Sequence, residues 1–136
     1  MVNSRTLAVV GTAAVVIHGI IAALHGAAHS DLGIQMTAAE NAFINLVIVA
    51  APVVAAILLW TRFVRAGAIL LAASMAGALV FGGYHHYVAI SPDHVAHLPA
   101  GNLQGQFRAT AALLIVSEAF GVGVGAWGAW RGTEAA

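Results

Sequence analysis

The sequence predicts an all-α integral membrane protein: a bundle of four transmembrane helices with short loops and a short interfacial helix between the third and fourth spans. Three observations carry that expectation. Of the 136 residues 61% are hydrophobic, and a mean hydropathy of +0.93 is too high for an ordinary soluble domain. Charged side chains are scarce, five basic and five acidic. Four apolar stretches reach the length of about 20 residues that a helix needs to cross roughly 30 Å of hydrocarbon. They run from Thr6 to His29, Thr37 to Trp60, Ala66 to Val88 and Phe107 to Trp130. The short connections leave no room for a second unit, so residues 1–136 read as one four-helix transmembrane domain.

Each element has its own signals. The first stretch ends in small residues, as a signal peptide does, but it is longer than the usual apolar core of one and carries His18 inside it. It is expected to be a retained span. The second opens on Thr37-Ala-Ala-Glu40, the pattern of a capping box, and Pro52 is expected to kink it. The third and fourth are rich in glycine and alanine, notably Gly77, Gly82, Gly83, Gly121, Gly125 and Gly128. Such small residues let membrane helices approach closely where no hydrophobic force acts between them. Ser91-Pro92-Asp93 reads as a helix start, predicting a short surface helix over Pro92 to Leu98.

Charge predicts orientation. Arg5, Arg62, Arg65 and Arg131 belong to one end of the bundle, while Arg108 shares the other with Asp31, Glu40 and Asp93. By the positive-inside rule both termini are cytoplasmic, the expected setting being a bacterial inner or plasma membrane. Trp60, Trp127 and Trp130 would form the inner interfacial belt, and Tyr84 and Tyr87 the outer one. With zero net charge and no basic run, nucleic acid is not an expected partner. The expected partners are the lipid bilayer and a homo-oligomer or larger membrane complex.

Chemistry concentrates in seven histidines in a chain without cysteine, which excludes thiolate metal sites and covalently attached haem. His25, His29, His85, His86, His94 and His97 all fall toward the extracytoplasmic ends of the helices. His18, His25 and His29 lie within roughly 40° of one another on the first helix. His25 and His29, one turn apart, have the spacing by which one helix offers two ligands to one metal. His85 and His86 diverge by about 100°, so one is expected to join the site and the other to face elsewhere. His94 and His97 would complete the site from above or act as a lid. Glu40 is a weaker ligand candidate beside its capping role. Asn41 and Asn45, amides inside a span, are expected to bond to another helix or to orient a histidine.

Glu118 lies about 16 Å into the fourth helix, at a depth matching His18. A lone carboxylate there is costly, so it should be protonated or paired. The two are expected to meet, directly or through water, as a buried acid–base pair.

These residues support three functions. The leading one is a transition-metal-binding membrane protein, and nitrogen and oxygen ligands suit copper, zinc or iron, with the outward orientation favouring copper. An open coordination position would make it a small metalloenzyme. The second is a protein that binds haem b and exchanges electrons with a quinone. The third is a proton-conducting or accessory subunit without a redox centre.

Overall fold

The computed structural model describes residues 3–131. Residues 1–2 and 132–136 of the expected domain, and the Arg131 side chain, lie outside the described residues. The chain is all-helical: α1 (Ser4–Asp31), α2 (Ala38–Phe43), a π-helical segment (Ile44–Ala50), α3 (Ala51–Leu59), α4 (Val64–Tyr87) and α5 (Gln104–Arg131). The segment from Ala38 to Leu59 is continuous, so four helices are long and apolar enough to cross a membrane.

Local chemistry sets the helix ends. Asn3 Oδ1 accepts the Arg5 N–H at the start of α1, meeting one of the orphan donors of a helix N-terminus. Thr37 and Glu40 form the reciprocal capping box at the start of α2. Asp31 ends α1 and receives the Asn102 and Leu103 N–H groups at 2.9 Å. Its negative charge thereby sits at the positive end of the α5 dipole.

The bundle is tightest where side chains are absent. A Cβ at Gly125 of α5 would lie 2.5 Å from the Ala72 backbone nitrogen of α4, and one at Gly67 would lie 2.9 Å from the Leu59 nitrogen of α3. Backbone cannot yield as a flexible side chain can, so either methyl would force helices apart. Between these approaches Leu7, Val15, Leu59, Leu71, Met75 and Val124 form the larger buried cluster. Many large apolar side chains instead point outward, among them Val16, Ile20, Leu46, Ile57, Val80 and Val116. That inside-out distribution suits a hydrocarbon surround.

The second span departs from a plain kink. Its π segment precedes Pro52, which has no N–H for the carbonyl four residues back, Ile48 O. No residue of α2 or the π segment is buried, whereas α3 buries Pro52, Ala55, Ala56 and Leu59. The principal contact of α1 with this span is through α3. The upper half therefore stands away from α1.

The expected surface helix over 92–98 does not form; the segment is a series of turns. Ser91 Oγ accepts the Asp93 N–H, Ser91 O accepts from His94 N, and Val95 N–H donates to His86 O at the end of α4. With Val95 bonded to α4, the helical ladder cannot propagate. Arg108 Nε, donating to Val95 O at 2.9 Å, anchors the turns to α5.

Candidate metal centre

Three of the seven histidines converge. His25 and His29 come from α1 and His86 from the last turn of α4. His25 Nε2 lies 3.1 Å from His86 Nε2 and 3.2 Å from His29 Nε2. A set of potential ligand atoms, one from each ring, lies within 4.8 Å. For comparison, neighbouring ligands on a tetrahedral ion with bonds of roughly 2.0–2.1 Å are about 3.3 Å apart.

The outer nitrogens determine where the lone pairs point. Thr110 Oγ1 donates to Gln106 O at 2.7 Å, so its oxygen is left to accept from His25 Nδ1–H at 2.9 Å. His86 Nδ1–H donates to Asp93 O at 3.1 Å. A carbonyl can only accept, so the proton of neutral His86 is on Nδ1. With both rings neutral and their outer nitrogens donating in this way, each turns an unprotonated Nε2 toward the other. His29 Nδ1 has no hydrogen-bond partner among the described residues, whereas its Nε2 lies 3.1 Å from Asp93 Oδ1, which draws the proton of that ring to Nε2. Ligation through Nε2 requires the proton to move to Nδ1 or leave. The arrangement matches the usual metal-ligating histidine, whose other N–H is held by a hydroxyl, carbonyl or carboxylate.

Asp93 supplies charge. Its Oδ1 stands 3.1 Å from His29 Nε2 and 3.3 Å from His86 Nδ1. Both carboxyl oxygens are buried and lack an aligned hydrogen bond among the described residues. Burial opposes ionisation of Asp93, but the His29 and His86 imidazoles outweigh it and hold the carboxyl well below the usual carboxylate range. Phe107, fully buried on α5, closes the other side with its ring centroid 4.5 Å from that of His25 and 5.1 Å from that of His29.

The other candidates go elsewhere. His86, not His85, faces the bundle; His85 packs on Phe81 and sits 3.8 Å from Glu40 Oε1. His94 and His97 contact one another, with ring centroids 5.0 Å apart, and His94 Nδ1 accepts from the Ala96 N–H. Neither belongs to the triad. Asn41 donates to Met36 O and Thr37 O, and Asn45 to Asn41 O. These amides satisfy carbonyls of their own segment and orient no histidine.

His18 and Glu118 do approach, with Nδ1 and Oε1 3.9 Å apart and both side chains buried. His18 Nε2–H donates at 3.3 Å to Ile48 O, the carbonyl that Pro52 cannot serve. Its Nδ1 is consequently an acceptor. His18 Nδ1 and Glu118 Oε2 have no hydrogen-bond partner among the described residues.

A cavity of about 620 Å³ joins the two places. His25, His29 and His86 line one end, His18 and Glu118 the other, with an apolar wall between.

Sequence reasoning overlooked Asp93, Thr110 and Phe107 as parts of the site. Asp93 was legible as the acid beside the outer histidines, although its pattern suggested a helix start. Thr110 and Phe107 carried no signal, since an isolated threonine or phenylalanine in an apolar helix is ordinary. Comparisons with protein-family models, curated proteins and solved structures find no match to this chain.

Proposed function

We propose that this chain is an integral-membrane protein that holds a transition-metal ion between His25, His29 and His86. The carrying observation is the convergence of three imidazoles, with His25 Nε2 3.1 Å from His86 Nε2 and 3.2 Å from His29 Nε2. Two lone pairs facing each other in a buried site repel, and a cation between them turns that repulsion into ligation. The ionised Asp93 carboxylate beside His29 and His86 offsets part of a divalent charge. Three imidazoles and a nearby carboxylate suit zinc, copper or non-haem iron. The cavity beneath the triad gives a fourth coordination position access to a small ligand. The arginine distribution supports an extracytoplasmic site and cytoplasmic termini.

Haem fits this arrangement less well. Two axial bonds of roughly 2 Å each, laid end to end, exceed the 3.1 Å between His25 and His86 Nε2, and Phe107 occupies the space beside them. The decisive experiment is purification in mild detergent with an absorption spectrum and elemental analysis. Close to one equivalent of zinc, copper or iron without a Soret band is expected. Full metal content in the His25→Ala, His29→Ala double variant would sink the assignment.

A further inference from the structure

The cavity has features that metal binding at its outer end does not use. His18 and Glu118 line its deep end, and two of their polar atoms, His18 Nδ1 and Glu118 Oε2, are buried without a hydrogen-bond partner among the described residues. His18 and Glu118 are each only 2% exposed, so bulk solvent does not satisfy them. Leaving such atoms unpaired is costly in an apolar interior. The 3.9 Å between Nδ1 and Oε1 is too long for a direct hydrogen bond. One oxygen about 2.8 Å from each would bridge Nδ1 and Oε1 in a bent arrangement. Oε2 of the same carboxyl, buried and unpaired, would be met only if the carboxyl turns.

The side wall indicates where an occupant enters. Gly19, Ala22, Ala23 and Gly26 of α1 line the cavity opposite Ile48 and Val49 of the second span. A Cβ at Gly19 or Gly26 would meet nothing within 4 Å, and Gly19, Ala23, Gly26 and Val49 are exposed on the apolar flank. The opening follows from α1 packing against α3 and not closing on the π segment above it. It faces the hydrocarbon of the proposed bilayer, so it admits molecules dissolved there. A volume of about 620 Å³ also lies within the roughly 300–1,000 Å³ of small-molecule sites.

We propose that this cavity binds a membrane-soluble alcohol or phenol, with its hydroxyl between His18 and Glu118 and its apolar body extending along α1 to the lateral opening. A hydroxyl fits because, in neutral His18, Nε2 donates to Ile48 O and Nδ1 is left to be met by a donor, while the same oxygen can also accept. An ether or ketone oxygen cannot donate. The site is distinct from the triad and does not need a metal.

The test uses metal-free protein in lipid nanodiscs, so failure of the metal assignment leaves it intact. Binding of radiolabelled 4-decylphenol is measured by scintillation proximity, with 4-decylanisole and decylbenzene as competitors. Saturable phenol binding is expected, with both competitors weaker by roughly tenfold, the scale of one net hydrogen bond. Glu118→Leu should reduce the phenol preference while leaving decylbenzene affinity little changed. Gly19→Phe should fill the opening and abolish binding of all three. Should Glu118→Leu fail to fold, Gly19→Phe and the competitor series still decide. Equal affinity for the three compounds, no saturable binding, or full binding by Gly19→Phe would overturn the proposal.

Discussion

The two polar regions of this bundle solve the burial of imidazole in different ways. At the triad, His25 and His86 each have their outer nitrogen held by a protein group, leaving the inner nitrogens directed at a common point. At the deep pair, the Ile48 carbonyl holds His18 by one nitrogen while the other faces Glu118 across a gap. In the functions proposed above, the first would hold a cation and the second a hydrogen-bonding group. The contrast teaches that the partner of the non-reacting nitrogen sets a histidine's role, by deciding which nitrogen keeps its lone pair.

The largest separation of the regions should come from His25→Ala. It removes the ligand nearest both others and is expected to reduce bound metal from about one equivalent to almost none by elemental analysis. Glu118→Gln should leave that stoichiometry unchanged; equal metal loss in the two variants would erase the distinction.

Next in size is Asp93→Asn. It preserves shape but removes the negative charge beside His29 and His86, and competition with a chromophoric chelator should show affinity lower by roughly 10–100-fold. An unchanged affinity would mean that the carboxylate plays no part in the site.

Acidification should act on the triad through its imidazoles. Protons compete with the metal for the imidazole lone pairs, so metal affinity should fall on acidification. The depressed Asp93 carboxyl stays ionised through the mildly acidic range. Its own contribution to stability is fully present above the unfolded value near about 3.9 and is lost only as pH falls toward its lower folded value. An apparent metal affinity, read by equilibrium dialysis, that does not weaken at any point on acidification would contradict imidazole ligation.

Smaller effects bracket the site. Thr110→Val leaves His25 Nδ1–H without its acceptor and should weaken metal binding by several-fold, about 1 kcal/mol. Thr37→Ala removes the capping box and should lower stability by about 1 kcal/mol without altering metal content. His85→Ala, His94→Ala and His97→Ala should also retain full metal, read by the same elemental analysis.

Much of this was legible along the chain. Four apolar runs specify four long helices because hydropathy and length act locally, and Thr37-Ala-Ala-Glu40 specifies its cap because all its partners lie within one turn. The His25–His29 pair and the matching depths of His18 and Glu118 follow from helical spacing. The turns at 91–98 were not legible, because Val95 is diverted by a carbonyl of α4. The π segment follows the same logic in part: Pro52 announces a carbonyl it cannot serve, but only α1 brings His18 to donate to it.

By itself, the sequence determined the four long helices, their apolar surface and the depth of the histidines they carry, all functions of residue type and of the 1.5 Å rise per residue. Tertiary structure decided which histidines meet. Packing of α4 against α5 turns His86 inward and leaves His85 beside Glu40. Thr110 and Asp93 then assign the protons, from 85 residues away along the chain for His25 and from across a turn for His86. Spacing along one helix gives an azimuth and a depth; convergence needs the rotation of neighbouring helices, which close glycine contacts and a few long-range hydrogen bonds set.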